Sequence, residues 1–230
     1  MTTRDLWLAA NWPFVADALP DAPARVLEIG CGSEGGFVPR LLQDGYSAVG
    51  IDPEAPAGPN YHQVEFERYD IDQPVDAIVA CTALHHVGDL AEVLTKVADS
   101  LARGGGLAIV EWDWKRFDEA TARWCFARLP TLSPESEPTW LQRARDEWAA
   151  SHQPWESYLE AWAQEERLHT GQEMLHELDL RFNRAAVSET PYFFADLADT
   201  SQSDEQAAID SGQLHATGMR YVGHRGPPAA

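Results

Sequence analysis

Short apolar runs alternate with amphipathic stretches over the first half of the chain. After residue 88, apolar side chains recur at helical spacing up to Leu101, and glycines follow at 104–106. Alternation of this kind predicts β-α-β units around a parallel sheet. The predicted strands are 25–30, 47–52, one within 61–70, 75–81 and 106–112.

The second half is richer in aromatic residues and predicts mostly helices. Trp155, Tyr158, Leu159 and Trp162 form an i, i+3, i+4, i+7 stripe, which fits a helix packed on its neighbours or, alternatively, an aromatic wall facing a substrate. Polar pairs with capping-box spacing predict where helices begin. These pairs are Thr139 with Gln142, Thr170 with Glu173, and Ser203 with Gln206. Strands are expected again in 181–194 and 213–225.

Charge narrows the range of partners. The 230 residues carry 17 Lys and Arg against 37 Asp and Glu, a formal net charge of -20, so nucleic acid and membrane partners are not expected. A cation or a neutral small molecule suits this field better. The three cysteines and scattered histidines lack metal-ligand spacing and indicate reduced thiols without a metal site. We find no signal segment and expect a cytoplasmic protein.

A glycine-rich turn follows the first predicted strand. Gly30, Gly32 and Gly35 satisfy G-x-G-x-x-G, a spacing that lets a nucleotide approach the backbone. Asp52 ends the next strand, where a carboxylate can accept both hydroxyls of a ribose. Glu28 and Glu34 flank the turn with negative charge, which opposes a pyrophosphate and favours an ammonium or a sulfonium.

Around these residues the sequence resembles the class I S-adenosylmethionine-dependent methyltransferases. The resemblance covers about residues 22–116 and rests on VLEIGCGSEGG, VGID, VDAIVACTALHHV and LARGGGLAIVEW. It implies that the turn receives the amino-acid end of S-adenosylmethionine, that Asp52 holds the ribose, and that Asp70 with Ile71, or else Asp72, contacts the adenine. Glu28 would order the turn or reach the amino group through water. The implied cofactor-binding residues are Glu28, Gly30, Cys31, Gly32, Asp52, Pro53, Asp70, Ile71, Cys81 and His86.

The resemblance also implies the architecture. We expect an α/β fold with a Rossmann-like, mostly parallel, seven-stranded sheet flanked by helices. The chain 1–230 would form a single methyltransferase domain, with its core in 22–116 and in C-terminal strands within about 181–225. A helical cap over about 117–180, inserted after the fifth strand, would select the methyl acceptor.

Four side chains are candidate bases for the transfer. His85 and His86 follow the fourth strand at the carboxyl edge of the sheet, where ligands of open α/β sheets bind. They serve either as a general base or in packing against the cofactor. His152 and Tyr192 are the other two candidates. Glu111 and the residues up to Trp114 follow the fifth strand at the same edge, and they form an acidic, aromatic segment that either faces the acceptor or merely covers the pocket.

Two other functions remain open from the sequence. An NAD(P)-dependent oxidoreductase shares the glycine spacing and the acidic residue. A methyltransferase-like protein that binds the cofactor without transferring a methyl group is the second alternative. The expected function is methyl transfer to a small molecule, for which the aromatic residues favour a planar or apolar acceptor and the acidic balance favours a cationic one.

Overall fold

The strands form one seven-stranded sheet in the order β3-β2-β1-β4-β5-β7-β6. The computed structural model describes residues 2–131 and 137–226. The strands are β1 Arg25–Ile29, β2 Ser47–Ile51, β3 Tyr61–His62, β4 Val75–Cys81, β5 Leu101–Trp112, β6 Phe182–Thr190 and β7 Gly218–Arg225. The helices are α1 Thr3–Ala18, α2 Val38–Gln43, α3 Leu90–Ser100, α4 Glu119–Phe126, α5 Trp140–Ser151, α6 Trp155–Glu165, α7 Gly171–Arg181 and α8 Gln202–Asp210.

The sheet is mostly parallel, which confirms the expected α/β fold class. β1 to β5 pair in parallel, while β7 runs antiparallel to both β5 and β6. In β4 every residue except Asp76 is buried, because helices cover both faces of the central strands. All five parallel strands therefore point their carboxyl ends at one edge.

Helices flank both faces of the sheet. On one face, α3 and α7 share a hydrophobic cluster with the strands through residues such as Leu94 and Met174. On the other face, α1 and α2 contribute Val15 and Leu41 to a second cluster. Of the helices in the predicted cap, α7 packs in this core layer, and α4 to α6 lie outside it. We call α4 to α6 the cap helices. Residues 132–136 of the predicted cap lie outside the described residues.

The cap helices pack around a third, aromatic cluster. Trp155 is fully buried, its ring lies 5.1 Å from Phe117, and its Nε1 donates a hydrogen bond to the Phe117 carbonyl. The predicted helical stripe that begins at Trp155 thus packs against neighbouring helices, since Trp155 and Leu159 are buried in this cluster and Tyr158 is partly buried against it. Its last member, Trp162, is only partly buried, and its ring centroid lies 6.1 Å from that of Trp112 at the end of β5.

The capping boxes at Thr139 and Thr170 are present as predicted. The predicted cap of α8 at Ser203 was wrong. The helix begins after Ser201, whose hydroxyl accepts from the Asp204 N–H while the Asp204 carboxylate accepts from the Ser201 N–H. A carboxylate is a stronger acceptor than the amide of Gln206, so the Ser201 box prevails.

Two leucines test which helix faces are buried. Leu94 on α3 has no exposed surface, whereas Leu180 on α7 is 65% exposed. We expect Leu94→Ala to lower the free energy of unfolding by about 2–5 kcal/mol because it leaves a cavity. Leu180→Ala, the same chemical change, should alter it by less than about 0.5 kcal/mol. Chemical denaturation measures both, and equal losses would contradict this placement of the two faces.

Candidate functional site

The turn after β1 requires glycine for two separate reasons. Gly30 has φ +80°, and a Cβ there would lie 2.6 Å from the Ala83 Cβ, so the turn passes close to the chain leaving β4. Gly36 has φ +56°, and a Cβ there would lie 2.2 Å from Glu28 Oε1. Backbone conformation and lack of space together exclude larger residues.

Glu28 fills the inside of this turn. Its side chain is fully buried, and both carboxylate oxygens accept from the Phe37 N–H, at 3.0 and 2.8 Å. Burial raises the pKa of Glu28 to about 7. The carboxylate thus orders the turn and occupies an N–H group at the start of α2.

Asp52, at the end of β2, holds the turn from the other side. Its Oδ2 accepts from the Gly32 N–H at 2.9 Å, and its Oδ1 accepts from the Glu54 N–H at 2.8 Å. The side chain is half-buried and borders open space. Each carboxylate oxygen can accept a further hydrogen bond from a ligand.

A cleft of about 520 Å³ opens beside the turn. Of the predicted cofactor-binding residues, it is lined by Gly30, Gly32, Asp52, Pro53 and His86. Its other lining residues are Arg4, Ile29, Ile51, Glu65, Phe66, Glu67, Thr82, Ala83, Val87 and Gly88. We call this space the cofactor cleft.

The remaining predicted cofactor residues lie elsewhere. Asp70 and Ile71 line a groove beside α3, because β3 ends early and a short 3-10 turn at Phe66–Arg68 brings Phe66 to the cleft instead. Cys31 and Cys81 are fully buried among core side chains, and burial raises the pKa of both thiols. Neither thiol lines the cleft.

Glu111, at the end of β5, organises the segment that follows β4. The carboxylate has no exposed surface, and its Oε1 accepts from the N–H groups of Ala83 and Leu84, at 2.7 and 2.6 Å. Its Oε2 lies 2.6 Å from Nδ1 of the buried His85. This contact favours the tautomer that carries its proton on Nδ1, and leaves Nε2 of His85 as the basic nitrogen.

A second cavity, of about 640 Å³, adjoins the cofactor cleft and shares Thr82 and His86 with it. We call it the acceptor cavity. It is lined by Thr82, His85, His86, Trp112, Trp140, Arg143, Ala144, Glu147, Trp162, Glu165, Glu166 and Tyr192. Three of the four predicted bases therefore come together here.

The candidate bases differ in what they can do. His152 is exposed at the end of α5 and lines a separate groove with Phe126 and Trp148. Burial raises the pKa of Tyr192, so its phenol stays protonated at neutral pH. Partial burial and the adjacent His85 lower the pKa of His86. His86 lies at the mouth between the two spaces, and His85 is the one held by a carboxylate.

Sequence reasoning missed Thr82, which lines both spaces. This β-branched residue has φ +53°, a conformation that such side chains rarely adopt. The Thr82 N–H donates to the Val110 carbonyl on β5, which fixes the strained position. Its only sequence signal is its place directly after a buried strand. Strain of this kind concentrates at functional sites.

The described residues hold neither a metal-ligand cluster nor a membrane-spanning helix. In residues 2–131 and 137–226, no group of three or more His, Cys, Asp or Glu side chains is placed to hold a metal ion. Over the same ranges, no helix is both long and apolar enough to cross a membrane.

A family profile described as a methyltransferase domain matches residues 6–178, three quarters of the sequence. The chain belongs to this methyltransferase family. The resemblance to S-adenosylmethionine-dependent methyltransferases noted in the sequence is thereby confirmed. No curated protein matches the sequence significantly.

Solved structures share the methyltransferase fold at low sequence identity. An S-adenosylmethionine-dependent methyltransferase from Mesorhizobium loti is 19% identical, with a TM-score of 0.57 and coverage of 94% of this chain and 98% of its own. The N-methyltransferase NodS from Bradyrhizobium japonicum, in complex with S-adenosyl-L-homocysteine, is 12% identical, with a TM-score of 0.53 and coverage of 96% and 87%. The geranyl diphosphate C-methyltransferase from Streptomyces coelicolor is 14% identical, with a TM-score of 0.53 and coverage of 94% and 76%.

The methyltransferase's glycine turn offers a matched test. Gly36→Ala would place a methyl group against the Glu28 carboxylate, whereas a Cβ on Gly32 meets no atom within 4 Å. Both have positive φ, which costs about 1–2 kcal/mol for alanine. We expect Gly36→Ala to destabilise the protein by at least about 2 kcal/mol more than Gly32→Ala in chemical denaturation. Equal losses would mean that the Glu28 contact does not constrain the turn.

Proposed function

We propose that this methyltransferase transfers the methyl group of S-adenosylmethionine to a small molecule held in the acceptor cavity. The observation that carries the proposal is the junction of two spaces at Thr82 and His86, one bordered by the glycine turn and Asp52, the other by aromatic side chains. A donor and an acceptor bound there would meet at the shared wall.

The cofactor cleft fits S-adenosylmethionine in chemistry. Open space above Gly32 suits the close approach of a ligand to the turn, and the Asp52 carboxylate suits a pair of ribose hydroxyls. Phe66 provides an apolar surface for the adenine, and Arg4 provides positive charge for a carboxylate. Asp70 and Ile71 have no part in this assignment.

The same turn is poorly suited to a dinucleotide. Dinucleotide enzymes place the pyrophosphate at the N–H groups that begin the helix after β1. Here the Glu28 carboxylate already accepts from the Phe37 N–H, and Glu65 and Glu67 add negative charge to the cleft. These contacts disfavour the oxidoreductase alternative.

When bound, S-adenosylmethionine supplies an electrophilic methyl group with a built-in leaving group. The protein's task is then to align the acceptor and keep water out. Trp112, Trp140 and Trp162 wall the acceptor cavity for this purpose. For an acceptor that carries a proton, Nε2 of His85 would take that proton while Glu111 stabilises the resulting imidazolium.

A protein that binds the cofactor without transferring a methyl group remains the second candidate, because neighbouring structures establish only the fold. The buried His85–Glu111 pair favours catalysis, since a carboxylate on Nδ1 orients the imidazole and leaves Nε2 to take a proton from an acceptor. Release of S-adenosylhomocysteine with any small-molecule acceptor would decide for transfer. Its absence across a panel of O, N and S nucleophiles, with cofactor binding intact, would decide for binding alone.

Asp52→Asn tests the ribose site. The variant keeps one oxygen for the Gly32 N–H but removes the charge that strengthens hydrogen bonds to the ribose. We expect S-adenosylmethionine to bind about tenfold more weakly, corresponding to about 1.4 kcal/mol, in isothermal titration calorimetry. Glu54→Gln, an exposed neighbour that does not line the cleft, is the control and should bind normally. Unchanged affinity in folded Asp52→Asn would contradict this assignment.

His85→Gln and Glu111→Gln test the proposed base. With a protonated acceptor that supports turnover, each should lower kcat by about 100-fold or more, and His85→Gln should leave cofactor affinity unchanged. His176→Gln, at an exposed histidine on α7, is the control. Wild-type kcat in a folded His85→Gln protein would show that no proton passes through this imidazole.

A further inference from the structure

The acceptor cavity combines aromatic walls with an acidic rim. The rings of Trp140 and Trp162 stack with centroids 5.9 Å apart and an interplanar angle of 13°. Trp112 and Tyr192 stack likewise, with centroids 6.0 Å apart and planes at 17°. Two stacked aromatic pairs therefore line one cavity, and aromatic faces attract cations through their quadrupoles.

The charged side chains at the rim of the cavity also favour a cation. Glu147, Glu165 and Glu166 line the cavity, and Arg143 is its one lining arginine among the described residues. The Arg143 guanidinium donates from Nη1 to the Pro138 carbonyl at 2.6 Å, so one of its N–H groups is already engaged. Three carboxylates against one guanidinium leave the rim with net negative charge, and the chain's net charge of -20 adds to the field.

In the sequence, the aromatic residues favour an apolar acceptor and the acidic residues favour a cationic one. In the structure, both kinds of residue line the same cavity. A neutral planar acceptor would use the rings and gain nothing from the carboxylates. An anion would be repelled by both. A cation attached to an apolar body uses the rings for its body, their π faces for its charge and the rim for long-range attraction.

We propose that the acceptor cavity recognises a protonated amine with an apolar or aromatic body, which makes the methyl acceptor an amine. An ammonium nitrogen has no lone pair, so Nε2 of His85 would first take one of its protons. The freed nitrogen would then bond to the methyl carbon as the S–CH3 bond breaks, with S-adenosylhomocysteine as the leaving group.

The claim that the bound amine is the molecule methylated rests on the proposed function. The preference of the cavity for an amine can be tested by binding alone. The rim carboxylates are exposed, so solvent and salt screen their attraction for a cation. The aromatic walls therefore provide most of the preference for an amine, and the rim adds a contribution that falls with salt.

The test compares two ligands of nearly equal shape. 2-Phenylethylamine is a cation at neutral pH, and 2-phenylethanol replaces its ammonium group with a hydroxyl. Binding is measured by calorimetry and by tryptophan fluorescence on the full chain saturated with S-adenosylhomocysteine, so that no turnover occurs. We expect the amine to bind about tenfold more tightly than the alcohol, with the ratio falling as ionic strength rises.

Variants locate the selectivity. Trp162→Leu should reduce amine affinity several-fold and alcohol affinity little, while Trp162→Phe should retain the preference because a π face remains. The Glu165→Gln, Glu166→Gln double variant should lower amine affinity and reduce its salt dependence. Glu156→Gln, which alters an exposed carboxylate on the same helix away from the cavity, is the matched control.

The outcomes separate this inference from the proposed function. Equal binding of the two ligands, or tighter binding of the alcohol, would overturn the amine assignment in favour of a neutral acceptor. Failure of both ligands to bind while S-adenosylhomocysteine binds normally would overturn it as well, and would leave the methyltransferase assignment intact. Loss of S-adenosylhomocysteine binding would instead count against the cofactor site.

Discussion

The site depends on the hydrogen bonds that the buried carboxylate of Glu111 makes to the segment after β4. A fully buried carboxylate costs free energy unless hydrogen bonds satisfy it, and here the N–H groups of Ala83 and Leu84 and the His85 imidazole do so. Ala83, Leu84 and His85 all lie in the loop that follows β4. Glu111, at the end of β5, therefore fixes the course of that loop. That loop is the wall shared by the cofactor cleft and the acceptor cavity.

A second buried carboxylate has a similar effect two strands away, on β1. Glu28 holds the Phe37 N–H from inside the glycine turn, and Asp52 holds the Gly32 N–H from outside it. The turn is therefore fixed from both sides before any ligand arrives, which reduces the ordering that binding must cost. Between them, Glu28 and Glu111 make the carboxyl edge of the sheet a preorganised surface.

The acceptor side is built on a different principle. Its walls come from elements far apart in the sequence: Trp112 from β5, Trp140 from α5, Trp162 from α6, and Tyr192 from the segment after β6. They meet because the cap helices bury their own aromatic cluster against the sheet edge. Changes in the cap can thus alter the lining of this cavity while the cofactor cleft stays the same.

The sequence by itself determined the parallel core, the glycine turn, the place of Asp52 and the position of His85 and His86 at the sheet edge. These follow from local signals, since strand periodicity, glycine spacing and strand ends are readable within a few residues. Only the tertiary structure decided that Phe66 replaces Asp70 at the cleft, that Glu111 binds His85, that α7 joins the core, and that aromatic and acidic residues share one cavity. Each of these depends on contacts between segments distant along the chain, and hydrophobic pattern constrains which face of an element is buried but not which side chain it meets there.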